Sequence, residues 1–297
     1  MTAENTTAQA AGSTDSERKA GLIPELYKHV VQQDSQLFGP SYFGEFLNWG
    51  YWKADTETQI EACENLVDLV LSLVPQLSGQ VLDVACGLGG GAKRLARRLP
   101  PANITGINIM KDQLEVCAKR VPEARFLEMS ATSMEFSDSS FDCVLCVEAA
   151  MHFDTRERFL AEALRVLKPG GYLSLADIIG FPVNGANNYA ASPDEYGAML
   201  RRAGFVEVRV LDVTADVSWA HADRAVAYLQ QLLEEQSIGR DTYDELAMGR
   251  LARVTAGRFY VVAGARKPIP GKPRWRRLTS DPMANYLRSV LVRTAGR

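Results

Sequence analysis

The stretch Val81-Leu82-Asp83-Val84-Ala85-Cys86-Gly87-Leu88-Gly89-Gly90-Gly91 decides the fold. Apolar residues that suit a buried strand surround Asp83, and a cysteine and a glycine-rich run follow. Helix-forming residues from Ala92 to Leu99 come next. Strand, glycine loop and helix, in that order, are how an α/β sheet builds a site for a nucleotide-like ligand. Glycine lets the backbone approach the ligand and take positive φ. Asp83 near the strand end, and the order Asp-x-x-Cys-Gly-x-Gly, point to a ligand carrying an amino-acid group. The loop alone leaves a second reading open, because Gly87, Gly89 and Ala92 also satisfy the GxGxx(G/A) dinucleotide fingerprint. A dinucleotide site wants an acid ending the second strand. Here Asn108 stands there, and it can bond a ribose hydroxyl as donor or acceptor without charge.

Outward from this stretch, apolar patterning predicts strands at 81–85, 104–109, 124–127, 143–147 and 172–178. Helices are predicted between them at 91–99, 111–121 and 156–167. Such alternation implies an α/β, Rossmann-like, doubly wound and mostly parallel sheet. A helix near 193–203 and strands near 206–211 and 259–263 complete it. Upstream, 21–36 reads as a helix, 38–52 as an aromatic, glycine-broken loop, and 56–74 as a helix with one apolar face. The expected organisation is a disordered leader (1–20), an N-terminal helical segment covering the cofactor (21–77), a core (78–214 and 258–266), a helical lid insertion before the last strand (215–257) and a basic C-terminal tail (267–297). The insertion is too long for a hairpin loop, and ligands in such sheets bind outside the carboxyl ends of the strands and need a cover.

The chain has 297 residues, 46% hydrophobic and 23% charged, which is ordinary for a globular protein. A net charge of −3 gives no general pull toward nucleic acid or an anionic membrane. No apolar run reaches the ~18 residues of a membrane span. Residues 1–20 lack the apolar core of a secretory signal. The odd set Cys63, Cys86, Cys117, Cys143 and Cys146 suits a reducing cytoplasm. Cys143 and Cys146 have CxxC spacing inside a strand pattern, so alternation sends them to opposite faces as core residues rather than as a metal pair. No metal site is expected. Arg274, Trp275, Arg276 and Arg277 make the tail basic, and the lid or the tail is the expected surface for any homo-oligomer.

The segment Ser139-Ser-Phe141-Asp142 through Val147-Glu148-Ala149, Met151-His152-Phe153, Phe159-Leu160-Ala-Glu162 and Arg165-Val166-Leu167-Lys-Pro169-Gly170-Gly171 to Asp177 carries a family signature. It resembles the small-molecule branch of the class I S-adenosylmethionine-dependent methyltransferases, whose members methylate quinones, tocopherols, sterols and natural products. The resemblance runs from about Asn48 to Lys267, and Asn48-Trp-Gly50-Tyr51-Trp52 belongs to it. It implies S-adenosyl-L-methionine as cofactor. The backbone of Ala85, Gly87 and Gly89 would cradle the methionine part, Asp83 would hold the ammonium, Asn108 the ribose, and Ile109 would pack on adenine. Ser130-Ala131 stands where many relatives have Asp-Ala, so a hydroxyl replaces the usual carboxylate at the adenine amino group. Val147 and Glu148 would line the methionine side. Pro169-Gly170-Gly171 is expected as the turn before the fifth strand.

Methyl transfer from a sulfonium is an in-line displacement that needs alignment and exclusion of water. A hydroxyl acceptor gains from a general base. His152, after the fourth strand, is the expected base, and Asp177, ending the fifth, is expected to orient or charge-stabilise it. Tyr51 is expected to contact cofactor or acceptor. His221 opens the lid helix and reads as solvated, and His29 as structural. The resulting expectation is O-methylation of a small-molecule acceptor. N- or C-methylation, or pericyclase or isomerase chemistry on the same fold, are the alternatives.

Overall fold

The computed structural model describes residues 44–180, 189–256 and 258–271. The leader, the helix expected at 21–36 with His29, and the tail from 272 onward lie outside the described residues. The first described helix is α1 (Gln59–Ser72), started by Thr58 and Glu61, which cap each other's backbone N–H groups. Then come β1 (Val81–Val84), α2 (Gly90–Ala96), β2 (Ile104–Asn108), α3 (Lys111–Arg120), β3 (Arg125–Glu128) and β4 (Phe141–Val147). The chain continues through α4 (Arg156–Val166), β5 (Leu167–Ile179), α5 (Pro193–Arg202), β6 (Val206–Asp212), α6 (Ala220–Glu234), α7 (Arg240–Ala256) and β7 (Phe259–Arg266).

The seven strands form one sheet in the order β3-β2-β1-β4-β5-β7-β6. β1 to β5 pair in parallel, and β7 runs antiparallel between β5 and β6. The order reverses between β1 and β4, the switch point where a crevice opens at the strand ends. Strand alternation sorts the core onto two faces. Leu82, Val84, Val144 and Cys146 join α4 and α5 on one, and Val81, Cys143 and Leu145 join α1 and α2 on the other. The two CxxC cysteines thus part to opposite faces.

Two expectations shift. Pro169-Gly170-Gly171 lies inside the span of β5 as an irregularity. Leu167 pairs with Phe141, and regular pairing resumes at Tyr172 opposite Cys143. The insertion is a helical pair, as expected, but α6 docks on the N-terminal segment. The Trp52 N–H donates to the Asp216 carbonyl at 2.9 Å, and the Arg224 guanidinium lies 4.0 Å over the Trp52 ring. No helix among the described residues is long and apolar enough to cross a membrane.

Candidate active site

A cavity of about 650 Å³ opens at the carboxyl ends of β1, β2 and β4, within the range of small-molecule sites. Of the residues that the sequence reading assigned to cofactor or catalysis, Asp83, Ala85, Gly87, Asn108, Ile109, Ser130, Ala131, Val147, Glu148 and His152 line it. Gly89, Tyr51 and Asp177 do not, and each has a structural reason.

The loop after β1 is held in left-handed conformations, at φ 56° for Ala85, 54° for Gly87 and 87° for Gly89. Ala85 pays a steric cost there, which persists because neighbours pin the loop. The Cys86 N–H donates to the Ile107 carbonyl at 3.1 Å, and the Gly89 N–H to the Cys86 carbonyl at 2.9 Å. Gly89 is the residue that turns the chain into α2, and it backs onto Cys117 of α3 rather than onto the cavity.

Asp83 sits beneath this loop with 3% of its surface exposed. Its Oδ2 has no hydrogen-bond partner among the described residues. Burial pushes its carboxyl from 3.8 up to about 7. A Cβ at Gly91 would stand 2.9 Å from that oxygen, so only glycine leaves the approach clear. Ile109, a large apolar side chain 48% exposed, lines the same cavity. An orphaned buried carboxylate oxygen and an exposed apolar wall fit the ammonium and the base of S-adenosylmethionine.

Asn108 is buried in a carboxamide pair. Its Nδ2 donates to Gln113 Oε1 at 2.8 Å, and its Oδ1 accepts from the Met110 N–H at 3.2 Å. Gln113 lines the cavity and was missed from sequence. Its signal was a polar residue on the buried face of the helix expected at 111–121. The Ser130 hydroxyl accepts from the Thr132 N–H at 3.2 Å and lies 3.1 Å from the Thr132 hydroxyl, a second missed lining residue.

Glu148 adopts φ 52° and ties three elements together. Its Oε1 accepts from the Trp49 N–H at 2.7 Å and the Tyr260 hydroxyl at 2.5 Å. Burial pushes its carboxyl up to about 7, while these two bonds pull it down. Trp49 in turn stacks on His221 at 5.5 Å, and His221 Nδ1 lies 3.3 Å from Gln59 Oε1. His221 is fully buried, which corrects its reading as a solvated residue.

The N-terminal wall of the cavity is 45–48, not Tyr51. Gly50, at φ 82°, presses so closely on α1 that a Cβ would lie 2.5 Å from that of Ala62. The turn carries Tyr51 off the cavity, and its N–H donates to the Ala62 carbonyl at 2.7 Å. Upstream, Glu45 ion-pairs with Lys93 of α2 at 2.8 Å and Arg120 of α3 at 3.4 Å, laying Phe46 and Leu47 over the glycine loop. None of the described residues of the helical pair is among those that line this cavity.

His152 ends the short helical turn Ala150–His152 and is exposed at the cavity mouth beside Phe153 and Asp154. Desolvation by the mouth pushes its pKa below the ordinary 6.5, Asp177 pulls it up, and Arg156 pushes it down. Asp177 is fully buried beneath the site. Its Oδ2 accepts from Arg156 Nε at 2.6 Å and Tyr196 Oη at 3.0 Å, and its Oδ1 from Arg156 Nη2 at 3.2 Å and the Ile178 N–H at 2.9 Å. Arg156 therefore takes the carboxylate expected to orient the imidazole, and Asp177 reaches His152 through charge.

Residues 82–175 match the family model described as a methyltransferase domain. The phthiotriol/phenolphthiotriol dimycocerosates methyltransferase of Mycobacterium tuberculosis is 39% identical over 143 residues, 45% of this chain and 53% of that protein. The chain thus spans about half the length of that relative. Among solved structures, the (4+2)-cyclase SpnF has a TM-score of 0.61 at 27% identity, covering 80% of this chain and 96% of that one. The 27-O-demethylrifamycin SV methyltransferase of Amycolatopsis mediterranei is 31% identical over 252 residues, 76% of this chain and 91% of that protein. A match of that depth along nearly a whole relative makes this chain a member of the class I S-adenosylmethionine-dependent methyltransferases, in their natural-product branch.

Proposed function

We propose that the protein methylates a hydroxyl of a small, natural-product-like molecule, using S-adenosylmethionine. The observation that carries this reading is the pairing of an unpartnered, buried Asp83 carboxylate with an imidazole, His152, at the mouth of the same cavity. The O-methylating name of the rifamycin relative supports it. When bound, the cofactor supplies an electrophilic methyl group on a sulfonium. Asp83 holds the ammonium, and the backbone of Ala85 and Gly87 cradles the methionine part. Asn108 with Gln113 meets the ribose, Ile109 packs on the base, and Ser130 meets the adenine amino group. Val147 and Glu148 close the methionine side, and Phe46 and Leu47 keep water off the loop.

A neutral imidazole is required to take a proton, and the lowered pKa of His152 keeps it neutral at pH 7. His152 then accepts the hydroxyl proton of the acceptor on a ring nitrogen as its oxygen attacks. Asp177 stabilises the resulting imidazolium by charge. A second reading, cyclisation with the cofactor left unspent, draws on the likeness to a cyclase at 27% identity. Incubation with S-adenosylmethionine and a panel of hydroxylated macrolide- and polyketide-like acceptors separates the two. The expected outcome is stoichiometric S-adenosylhomocysteine and an O-methylated product by mass spectrometry. Acceptor conversion with no mass gain and no S-adenosylhomocysteine would favour cyclisation and reject methyl transfer.

A further inference from the structure

The glycine loop holds two thiols that methyl transfer does not use. Cys86 lies between Ala85 and Gly87, is 7% exposed, and lines the cavity. Cys117 of α3 is fully buried behind it, with the two Sγ atoms 3.9 Å apart. The Cys117 thiol donates to the Gly87 carbonyl at 3.2 Å, so it also props the loop. Hydrogen bonding between the two thiols lowers the pKa of Cys117 and raises that of Cys86, and Arg120 adds to the fall at Cys117. The other three cysteines are buried in the two sheet faces and in α1.

We infer that Cys86 and Cys117 form a reversible disulfide, made by a peroxide entering the cofactor cavity, which disables cofactor binding. The reaction balances in two steps. Cys86 is the sulfur of the pair that lines the cavity, and being held as the thiol it reacts slowly. It attacks hydrogen peroxide, the O–O bond breaks, and the thiol proton leaves with the departing oxygen, giving a sulfenic acid and water. The Cys117 sulfur then attacks the Cys86 sulfur. An S–S bond forms, the S–O bond breaks, and hydroxide leaves with the Cys117 proton as a second water. Two thiols are oxidised and one peroxide is reduced. A dithiol reductant reverses it by exchange.

The consequence for the cofactor follows from geometry. The sulfurs must close from 3.9 Å to the ~2.05 Å of a disulfide. At Gly89 the loop already touches α3, since a Cβ there would lie 3.3 Å from the Cys117 Cα. The remaining movement falls on Cys86 and its neighbours Ala85 and Gly87, whose backbone walls the cavity. The bridge also takes the Cys117 proton from the Gly87 carbonyl. Bound cofactor should cover Cys86 and slow the first step, so the vacant enzyme is the one that is switched off.

This inference rests on the cofactor site described above, so the reduced protein is first titrated with S-adenosylhomocysteine by calorimetry. Binding there, whatever follows, keeps the two questions apart. Hydrogen peroxide is then expected to remove two hydrogen atoms from the intact mass and yield a peptide linking Cys86 to Cys117. S-adenosylhomocysteine affinity should fall about tenfold or more and return with dithiothreitol. Saturating S-adenosylhomocysteine should slow the crosslink. In Cys117→Ser, which keeps a donor toward Gly87, peroxide should stop at the Cys86 sulfenic acid, read as a gain of one oxygen with no loss of two hydrogens. Cys117→Ala provides the same comparison if the serine folds poorly, each variant being scored against its own untreated mass. The inference is overturned if no Cys86–Cys117 peptide forms, if the crosslinked protein binds as before, or if the variants lose two hydrogens as the wild type does.

Discussion

Asp83 carries a large electrostatic cost in the site. Its carboxyl rises from 3.8 to about 7 through burial, so ionising it in the ligand-free fold costs on the order of 4 kcal/mol. The folded pKa lies above the unfolded one, so the native state binds more protons through this window and stability falls as pH rises. Glu148 acts in the same direction. Urea midpoints of the ligand-free protein should therefore fall between about pH 4 and pH 7, and Asp83→Asn should flatten that decline. Cofactor affinity should show the opposite trend, rising as Asp83 ionises. In Asp83→Asn it should drop about tenfold to a hundredfold and lose this pH dependence. An unchanged calorimetric affinity would place the ammonium elsewhere. For His152, kcat should rise with pH through an apparent pKa below 6.5. His152→Ala should abolish that limb and lower kcat by about a hundredfold or more, with cofactor affinity held.

At the scale of elements, the site depends on how closely the N-terminal strap lies on the glycine loop. A Cβ at Gly90 would stand 2.5 Å from the Phe46 ring and 2.7 Å from the Glu45 carbonyl. Gly90→Ala should lift the strap, weakening cofactor affinity while leaving the circular dichroism spectrum of the fold unaltered. Glu45→Gln, which cuts the ion pairs to Lys93 and Arg120, should do the same more mildly, because both partners are partly exposed. Strand existence was legible for β1, β2, β4 and β5, since a parallel sheet buried on both faces leaves continuous apolar runs, and β3, on the sheet edge, was legible from its short run alone. The strap was harder to read. The aromatic stretch 46–52 offered Phe46, Trp49, Tyr51 and Trp52 with no periodicity, and the turn at Gly50 decided which of them faced the cavity. The helical pair was legible as helices from its spacing, but its docking surface depended on Trp52 and His221, which no local pattern reveals.

Across the whole molecule, two buried networks hold the site. Arg156 and Asp177, 2% and 0% exposed, bridge α4 to β5 and recruit Tyr196 from α5. Removing one member leaves an uncompensated charge, so Asp177→Ala should cost about 3–5 kcal/mol in chemical denaturation. Its effect on kcat per folded molecule should be smaller than that of His152→Ala, since the Asp177 carboxylate is taken up by Arg156 and Tyr196. The second network, Glu148 with Tyr260 and the Trp49 N–H, joins β4, β7 and the N-terminal segment. Tyr260 comes more than a hundred residues after Glu148, which is why the pair was invisible in the sequence.

By itself, the sequence determined the sheet, the glycine loop, the cofactor class and a set of residues around the cavity, from Asp83 to His152. These depend on local spacing, where strand alternation and left-handed glycines act within a few residues. Only the tertiary structure decided that Asp177 serves Arg156, that Tyr51 turns away, that Gln113 joins Asn108, and that Cys86 meets Cys117. Each is a contact between elements distant along the chain, and its partner is set by which faces pack together.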